Sequence, residues 1–360
     1  MKSYPIPMVP GPVSVPEAVL QQYLFNYGSG DTEAEFLELY NHTEQSLQAV
    51  CATRSRIAIM SGEGMLALWA ALKSCIQPGD EVLAVATGVF GYGIGEMAKS
   101  AGASVHTIGL PYNKTLSDLE EVEKAIIEYR PKMITAVHCE TPSGTLNPLA
   151  ALGQLKHKYE VPLLYVDAVA SLGGAPVLTD EWHIDLLLGG TQKCLSAPPG
   201  MCFVAVSDPA WEIIAQVGYA GYDALLPFQT AQEQFYFPYT PYWHGMAALC
   251  AAAGLLLDEG LEHSYARHQA AAEACRKGLV DLGLELFPAQ DAIPSPTVTA
   301  ANVPEGITWE ELDARFRSHG LAAGGSYGPL SGKVFRLGHM GSQADMGLVQ
   351  QALEAIRLSL

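Results

Sequence analysis

The sequence predicts an α/β protein: a large domain built on a mainly parallel sheet wrapped by helices, followed by a smaller α+β domain. Two observations carry that prediction. Apolar runs of strand length alternate with helical patterns through the first two-thirds of the chain, as a parallel sheet with crossover helices requires. An aspartate and a lysine close two of these runs, VPLLYVD ending at Asp167 and DLLLGG leading to Lys193. In open α/β sheets ligands sit outside the carboxyl ends of strands, so both side chains are expected in one crevice.

Taken in order, residues 1–15 hold Pro5, Pro7, Pro10, Gly11 and Pro12, too much proline for a helix, and read as an extended arm. Strand-like runs follow at 56–60, 81–86, 103–108, 132–138, 161–167, 185–190 and 201–206, with helical patterns between most of them. A helix is expected over Met65–Ser74, and the acidic stretch Asp118–Glu128 reads as a solvated helix face. Near 246–282 the texture changes to two long helical segments. Further runs at 297–303 and 333–338 and an amphipathic pattern at 344–358 complete the smaller domain. The expected boundaries are therefore an arm over 1–15, a large domain over 16–256 and a small domain over 257–360.

The 360 residues include 49% hydrophobic types, enough for a large core, and length alone suggests about two domains. A formal charge of -18 disfavours nucleic acid and anionic membrane surfaces, which attract Lys/Arg-rich faces. A small-molecule substrate is the expected partner. Seven cysteines, with no C-x-x-C pair, form neither a disulfide framework nor a zinc site. They are expected to be reduced and mostly buried in a cytoplasmic protein. No N-terminal leader pattern is visible, and no run reaches the roughly 18 apolar residues of a membrane span.

A strand-end aspartate alone often caps the next helix, and a lone lysine is usually solvated. Together they suit one chemistry: an amine that joins an aldehyde cofactor and a carboxylate that keeps a pyridine nitrogen protonated. The expected cofactor is pyridoxal phosphate. Phe90 follows a strand, where a ring can either fill core or stack on a ligand. Gly91-Tyr-Gly-Ile-Gly95 is a partial dinucleotide fingerprint, with Glu96 where the third glycine belongs, and is set aside. The histidines His138, His244 and His339 show no metal-ligand spacing and are expected to be structural.

The segments Asp167–Gly174 and Gly190–Gly200 resemble the class V, fold-type-I aminotransferases, particularly the alanine–glyoxylate and serine–pyruvate group. Pro10-Gly11-Pro12, Ser61-Gly62-Glu63-Gly64, Glu140-Thr-Pro-Ser-Gly144 and Gly332–Gly338 extend the resemblance over nearly the whole chain. It implies that Lys193 is the Schiff-base lysine and Asp167 the partner of the pyridine nitrogen. It likewise implies that Thr141 meets the phenolic oxygen, Phe90 stacks on the ring, and Gly62, Glu63, Gly64, Met65, Gln192 and Thr240 surround the phosphate. Arg336 is implied to grip the substrate carboxylate, with Gly11 beside it, and Thr240 to come from the other subunit of a homodimer. No metal is implied. The implied reaction is ping-pong transfer of an amino group from an alanine- or serine-like donor to glyoxylate or pyruvate.

Departures from the pattern are informative. Phe237 stands for a tyrosine, and Glu63 occupies a position usually small and hydroxyl-bearing. Glu63 is expected to turn outward or toward the substrate and leave the cradle to phosphate, because a carboxylate beside a dianion is repulsive. Pointing inward, it would instead accept a hydrogen bond from unphosphorylated pyridoxal, as in the similar pyridoxamine–pyruvate aminotransferases. Tyr327 stands where those enzymes offer a second arginine. A cysteine desulfurase would need a cysteine on a mobile C-terminal loop, and Cys250 and Cys275 fall in expected helices. A non-catalytic binding module on the same fold is the remaining alternative, opposed by the presence of Lys193, Asp167 and Arg336 together.

Overall fold

The computed structural model describes residues 4–360. Seven strands make the central sheet: β1 (Arg56–Ser61), β2 (Glu81–Ala86), β3 (Ser104–Gly109), β4 (Met133–Val137), β5 (Leu163–Asp167), β6 (Leu186–Gly190) and β7 (Met201–Val206). Their spatial order is β1-β7-β6-β5-β4-β2-β3, with only β7 antiparallel to its neighbours. The mainly parallel α/β sheet expected from the alternation is thus present. The antiparallel β7 follows β6 closely in sequence and returns through the loop that carries Lys193.

Burial on both faces explains why these strands, apart from the partly exposed edge strand β3, read as continuous apolar runs rather than alternating ones. Leu187 packs into the core on one side of the sheet, with Phe36, Leu47 and Leu249. Leu186 and Leu188 pack on the other, with Leu68, Leu72 and Ile214. The first side is covered by α1 (Ala34–Val50) and the second by α2 (Gly64–Cys75) and α3 (Val89–Ser100), while Trp243–Glu259 lies against α1. Their ends are chemically marked. Ser207 caps the helix Asp208–Val217, whose second residue is Pro209, and Thr308 with Glu311 forms a capping box before Trp309–Ser318.

After Leu261–Asp281 the chain forms a three-stranded sheet in the order β8-β10-β9, from β8 (Val298–Asn302), β9 (Gly324–Gly325) and β10 (Val334–Gly338). Phe316, Phe335, Leu337, Val349 and Ile356 fill its core, the last two from the terminal helix Met346–Arg357. The described part of the arm is extended. Ile6–Pro7 pairs in parallel with Leu321–Ala322, and Met8 O accepts from Gly338 N at 2.7 Å. That approach needs a glycine, since a Cβ at Gly338 would sit 2.4 Å from Pro10 Cα. Among the described residues no helix is long and apolar enough to cross a membrane. Six of the seven cysteines are buried, Cys250 half-buried, and none is paired.

Candidate active site

Five connections converge beyond the carboxyl ends of the parallel strands. β1 leads to Glu63, β2 to Phe90, β4 to Thr141, β5 ends in Asp167, and β6 leads to Gln192 and Lys193. β5 pairs directly with β4 and β6, which fixes Asp167 beside Val137 and Leu188. Glu63, Gly64, Met65, Phe90, Thr141, Asp167, Gln192 and Lys193 all line one crevice. The strand-end pair therefore meets as its positions in sequence led one to expect.

Asp167 is 6% exposed and its Oδ1 accepts from Val169 N at 2.9 Å. Burial pushes its carboxyl up to about 6, with the Lys193 charge pulling the other way and Glu63 adding to the rise. A carboxylate held in that environment favours a cationic hydrogen-bond donor. Lys193 is pushed down to about 8, first by burial and then by the positive charge of Arg336. Its Nζ donates to Pro10 O of the arm. Gly11 clears that amine: a Cβ on Gly11, at φ +95°, would come within 2.7 Å of Nζ.

Arg336 lies on β10, 3% exposed, with Nε donating to Gly325 O at 2.9 Å and the Tyr327 ring 4.6 Å from the guanidinium carbon. Among the described residues no carboxylate pairs with it, and burial lowers its pKa. A buried guanidinium without an anion is a receptor for one. Phe90 stands second in α3, half-buried, at the edge of the crevice.

The anion end differs from expectation. Glu63 does not turn away: it is the N-cap of α2, its Oε1 accepting from Met65 N at 3.1 Å and its Oε2 from Gln192 Nε2 at 3.1 Å. The carboxylate takes the place at the helix N-terminus that an external anion would seek, because the cap satisfies a backbone donor and the helix dipole. Gln192 Oε1 is buried without a hydrogen-bond donor. Gly62, at φ +154°, donates its N–H to Gly200 O and stands just outside the crevice lining. Thr240 is exposed and does not line the crevice of its own chain. Phe237 packs against Phe36 and Tyr40 rather than facing the site.

Two contributors had no signal that sequence reasoning used. Glu140 is fully buried, and its two oxygens accept from Phe90 N at 3.1 Å and Gly91 N at 2.7 Å, so it anchors the start of α3. Burial pushes its carboxyl up to about 7. An acidic residue between an apolar strand and a Thr-Pro-Ser-Gly turn was the available clue. Pro10 O, as the resting partner of Lys193, is a backbone atom and leaves no trace in residue type. The histidines are structural as expected where they are buried: His138 bonds Ser171 Oγ at 2.8 Å, and His339 bonds Thr299 Oγ1 at 2.8 Å. Among the described residues no cluster of metal-ligating side chains occurs.

The pyridine end fits a protonated heteroaromatic aldehyde, on the evidence of the buried acid, the depressed amine and a ring at the rim. The anion end presents acceptors, Glu63 and Gln192 Oε1, alongside the backbone N–H groups of α2.

Comparison with known proteins places the chain and its fold in one family. The family model "Aminotransferase class-V" matches residues 11–328. The chain is 33% identical to the alanine–glyoxylate aminotransferase of Oryctolagus cuniculus over 98% of its own length and 91% of that protein. The ureidoglycine–glyoxylate aminotransferase structure from Bacillus subtilis superposes with a TM-score of 0.95 at 31% identity, covering 100% of this chain and 93% of that one. The pyridoxamine–pyruvate aminotransferase structure from Mesorhizobium loti gives 0.94 at 32% identity, covering 99% and 91%.

Proposed function

The chain belongs to the class V aminotransferases, enzymes that depend on pyridoxal 5'-phosphate, and from that premise we propose that it transfers the amino group of a small alanine- or serine-like amino acid to a small 2-oxo acid such as glyoxylate or pyruvate. The observation that carries the reading is the meeting of Lys193 and Asp167 in one crevice, with Arg336, which among the described residues forms no ion pair, near enough for its charge to lower the Lys193 amine.

When bound, the cofactor supplies an aldehyde that takes up the amino group and a pyridinium ring that spreads the electron pair left as the Cα proton departs. Arg336 receives the substrate α-carboxylate in its planar fork, exchanging part of its bond to Gly325 O for a charged acceptor. Tyr327 lies over the guanidinium and helps to hold its plane. Lys193 Nζ, lowered to about 8, gives up its proton more readily near neutral pH than a solvated lysine, and it would accept the Cα proton and return it one position away. Asp167 would hold a proton on the ring nitrogen, and Phe90 and Thr141, which line the same crevice, would help to hold the ring. A panel of amino acids and 2-oxo acids tests the proposal: parallel double-reciprocal lines with alanine or serine and glyoxylate or pyruvate support it. Absence of transfer with every pair would overturn it.

A second reading is favoured by Glu63. Its inward carboxylate and the donor-lacking Gln192 Oε1 both ask for a hydrogen-bond donor. A hydroxymethyl group is one and a phosphate dianion is not. On this reading the site handles unphosphorylated pyridoxal or pyridoxamine as the amino carrier. Titrating the apo-protein with the phosphorylated and unphosphorylated aldehydes separates the two. Tighter binding of pyridoxal, reversed by Glu63→Ser, selects the second reading, and tighter binding of the phosphate ester selects the first.

We also propose that the working form is a homodimer in the cytoplasm. Thr240, exposed and away from its own crevice, is then free to reach the partner's site.

A further inference from the structure

A sizeable cavity lies away from the catalytic crevice. It measures about 870 Å³ and opens between Leu261–Asp281 and the chain leading into β8. Leu284, Phe287, Val280 and Val298 supply apolar wall, and Asn113 and Arg276 supply polar groups. The volume falls within the roughly 300–1,000 Å³ typical of small-molecule sites.

The charges around it are unequal. Lys277 is neutralised by Asp281, one turn along the same helix, and Glu285 at the rim accepts from Asn302 Nδ2 at 2.9 Å. Arg276 is half-buried, its Nη1 donates to Ser295 O at 2.9 Å, and among the described residues no carboxylate forms an ion pair with it. Burial lowers its pKa by more than the nearby Cys275 and Glu273 raise it, so the cation is taken from water with only partial compensation. A guanidinium so placed, beside an apolar chamber, matches a molecule with one anionic end and a hydrocarbon or aromatic body.

We propose that this cavity is a second binding site, for a small amphipathic carboxylate or comparable monoanion held by Arg276, with its apolar body among Leu284, Phe287 and Val298. The site is distinct from the catalytic crevice yet touches the same elements. Gly144, three residues beyond Thr141, lines it, as does Ala300, the register partner of Arg336. The two are packed tightly, a Cβ on Gly144 falling 2.8 Å from Ala300 N.

The test uses the full-length, cofactor-loaded protein, so that the catalytic crevice is filled. It is titrated with 8-anilinonaphthalene-1-sulfonate as an anionic probe and with the neutral N-phenyl-1-naphthylamine. One saturable sulfonate site per chain is expected. Arg276→Gln should weaken the sulfonate about tenfold, a change of about 1.4 kcal/mol, while leaving the neutral probe unaffected. Arg276→Lys should retain most of the sulfonate affinity. Ala289→Trp, which fills the cavity and leaves the arginine in place, should remove both probes, and it keeps the test readable if Arg276→Gln does not fold. No saturable sulfonate binding, equal affinity in Arg276→Gln and the parent, or undiminished binding in Ala289→Trp would each overturn the proposal.

Discussion

At the scale of single residues, the charges of Lys193 and Arg336 decide the chemistry. Arg336→Lys keeps the charge and loses the planar fork, so kcat/KM for an accepted amino acid should fall about tenfold or more, equal to about 1.4 kcal/mol, with the cofactor spectrum unchanged. Unaltered kinetics with every accepted amino acid would remove Arg336 from the substrate clamp. The pH dependence follows from the lysine. Only the neutral amine can attack the cofactor aldehyde, and Lys193 sits at about 8, below its usual 10.5. The rate of cofactor attachment to the apo-protein should therefore rise with pH and level off above about 8. Arg336 contributes to that lowering, so Arg336→Gln should let the lysine hold its proton longer and move the midpoint upward; stopped-flow absorbance reads it. The pairing of Asp167 and Lys193 in one crevice was legible in the sequence because side-chain chemistry and strand-end position are both written there, whereas Arg336, in the middle of β10, was reached only through the family resemblance. The inward turn of Glu63 was not legible, because it depends on a competition. Against the expected phosphate repulsion stand a helix cap and a bond to Gln192, and the orientation of a capping rotamer is fixed only when both partners are in place.

At the scale of elements, the strands were legible and the anchoring contacts were not. Runs such as EVLAVA and MCFVAV form strands over the same residues because both faces of the sheet are buried, so hydrophobicity alone marks their length. The reversed direction of β7 left no such mark, since a short return and a crossover differ in geometry more than in composition. Glu140 is the main element-scale contact missed. Its carboxylate ties the first turn of α3, and with it Phe90, to the loop after β4. Glu140→Gln replaces one acceptor oxygen with an amide that cannot accept, leaving a buried N–H unpaired at a cost of about 1–3 kcal/mol. The melting temperature of the apo-protein should drop, and affinity for the cofactor should weaken as Phe90 loses its fixed position. A variant with unchanged melting and cofactor affinity would show that the anchor is dispensable.

At the scale of the whole molecule, several large apolar and aromatic side chains near residues 20–27 and 222–242 are exposed. Leu24 is 82% exposed, Phe25 55%, Tyr222 68% and Tyr236 61%, and the rings of Tyr23, Tyr242 and His244 gather at the same place. Such a patch, next to Thr240, fits an isologous contact that completes two sites at once. Light scattering on the loaded protein should give twice the chain mass of 38.5 kDa, and Thr240→Ala should weaken phosphate-ester binding in proportion to the dimer present. A fully active monomer would rule out a shared site. The catalytic site is itself a whole-molecule property: the crevice holds Asp167 and Lys193, the arm supplies Pro10 O to the amine, and Arg336 on β10 adds its charge nearby. Its central claim is that the amine of Lys193 carries the cofactor there. Borohydride reduction of the loaded protein, followed by digestion and peptide mass mapping, tests this without depending on the identity of the substrate. The pyridoxyl group should be found on Lys193 and lost in Lys193→Ala; its appearance on another lysine, or its absence from fully loaded protein, would contradict the account.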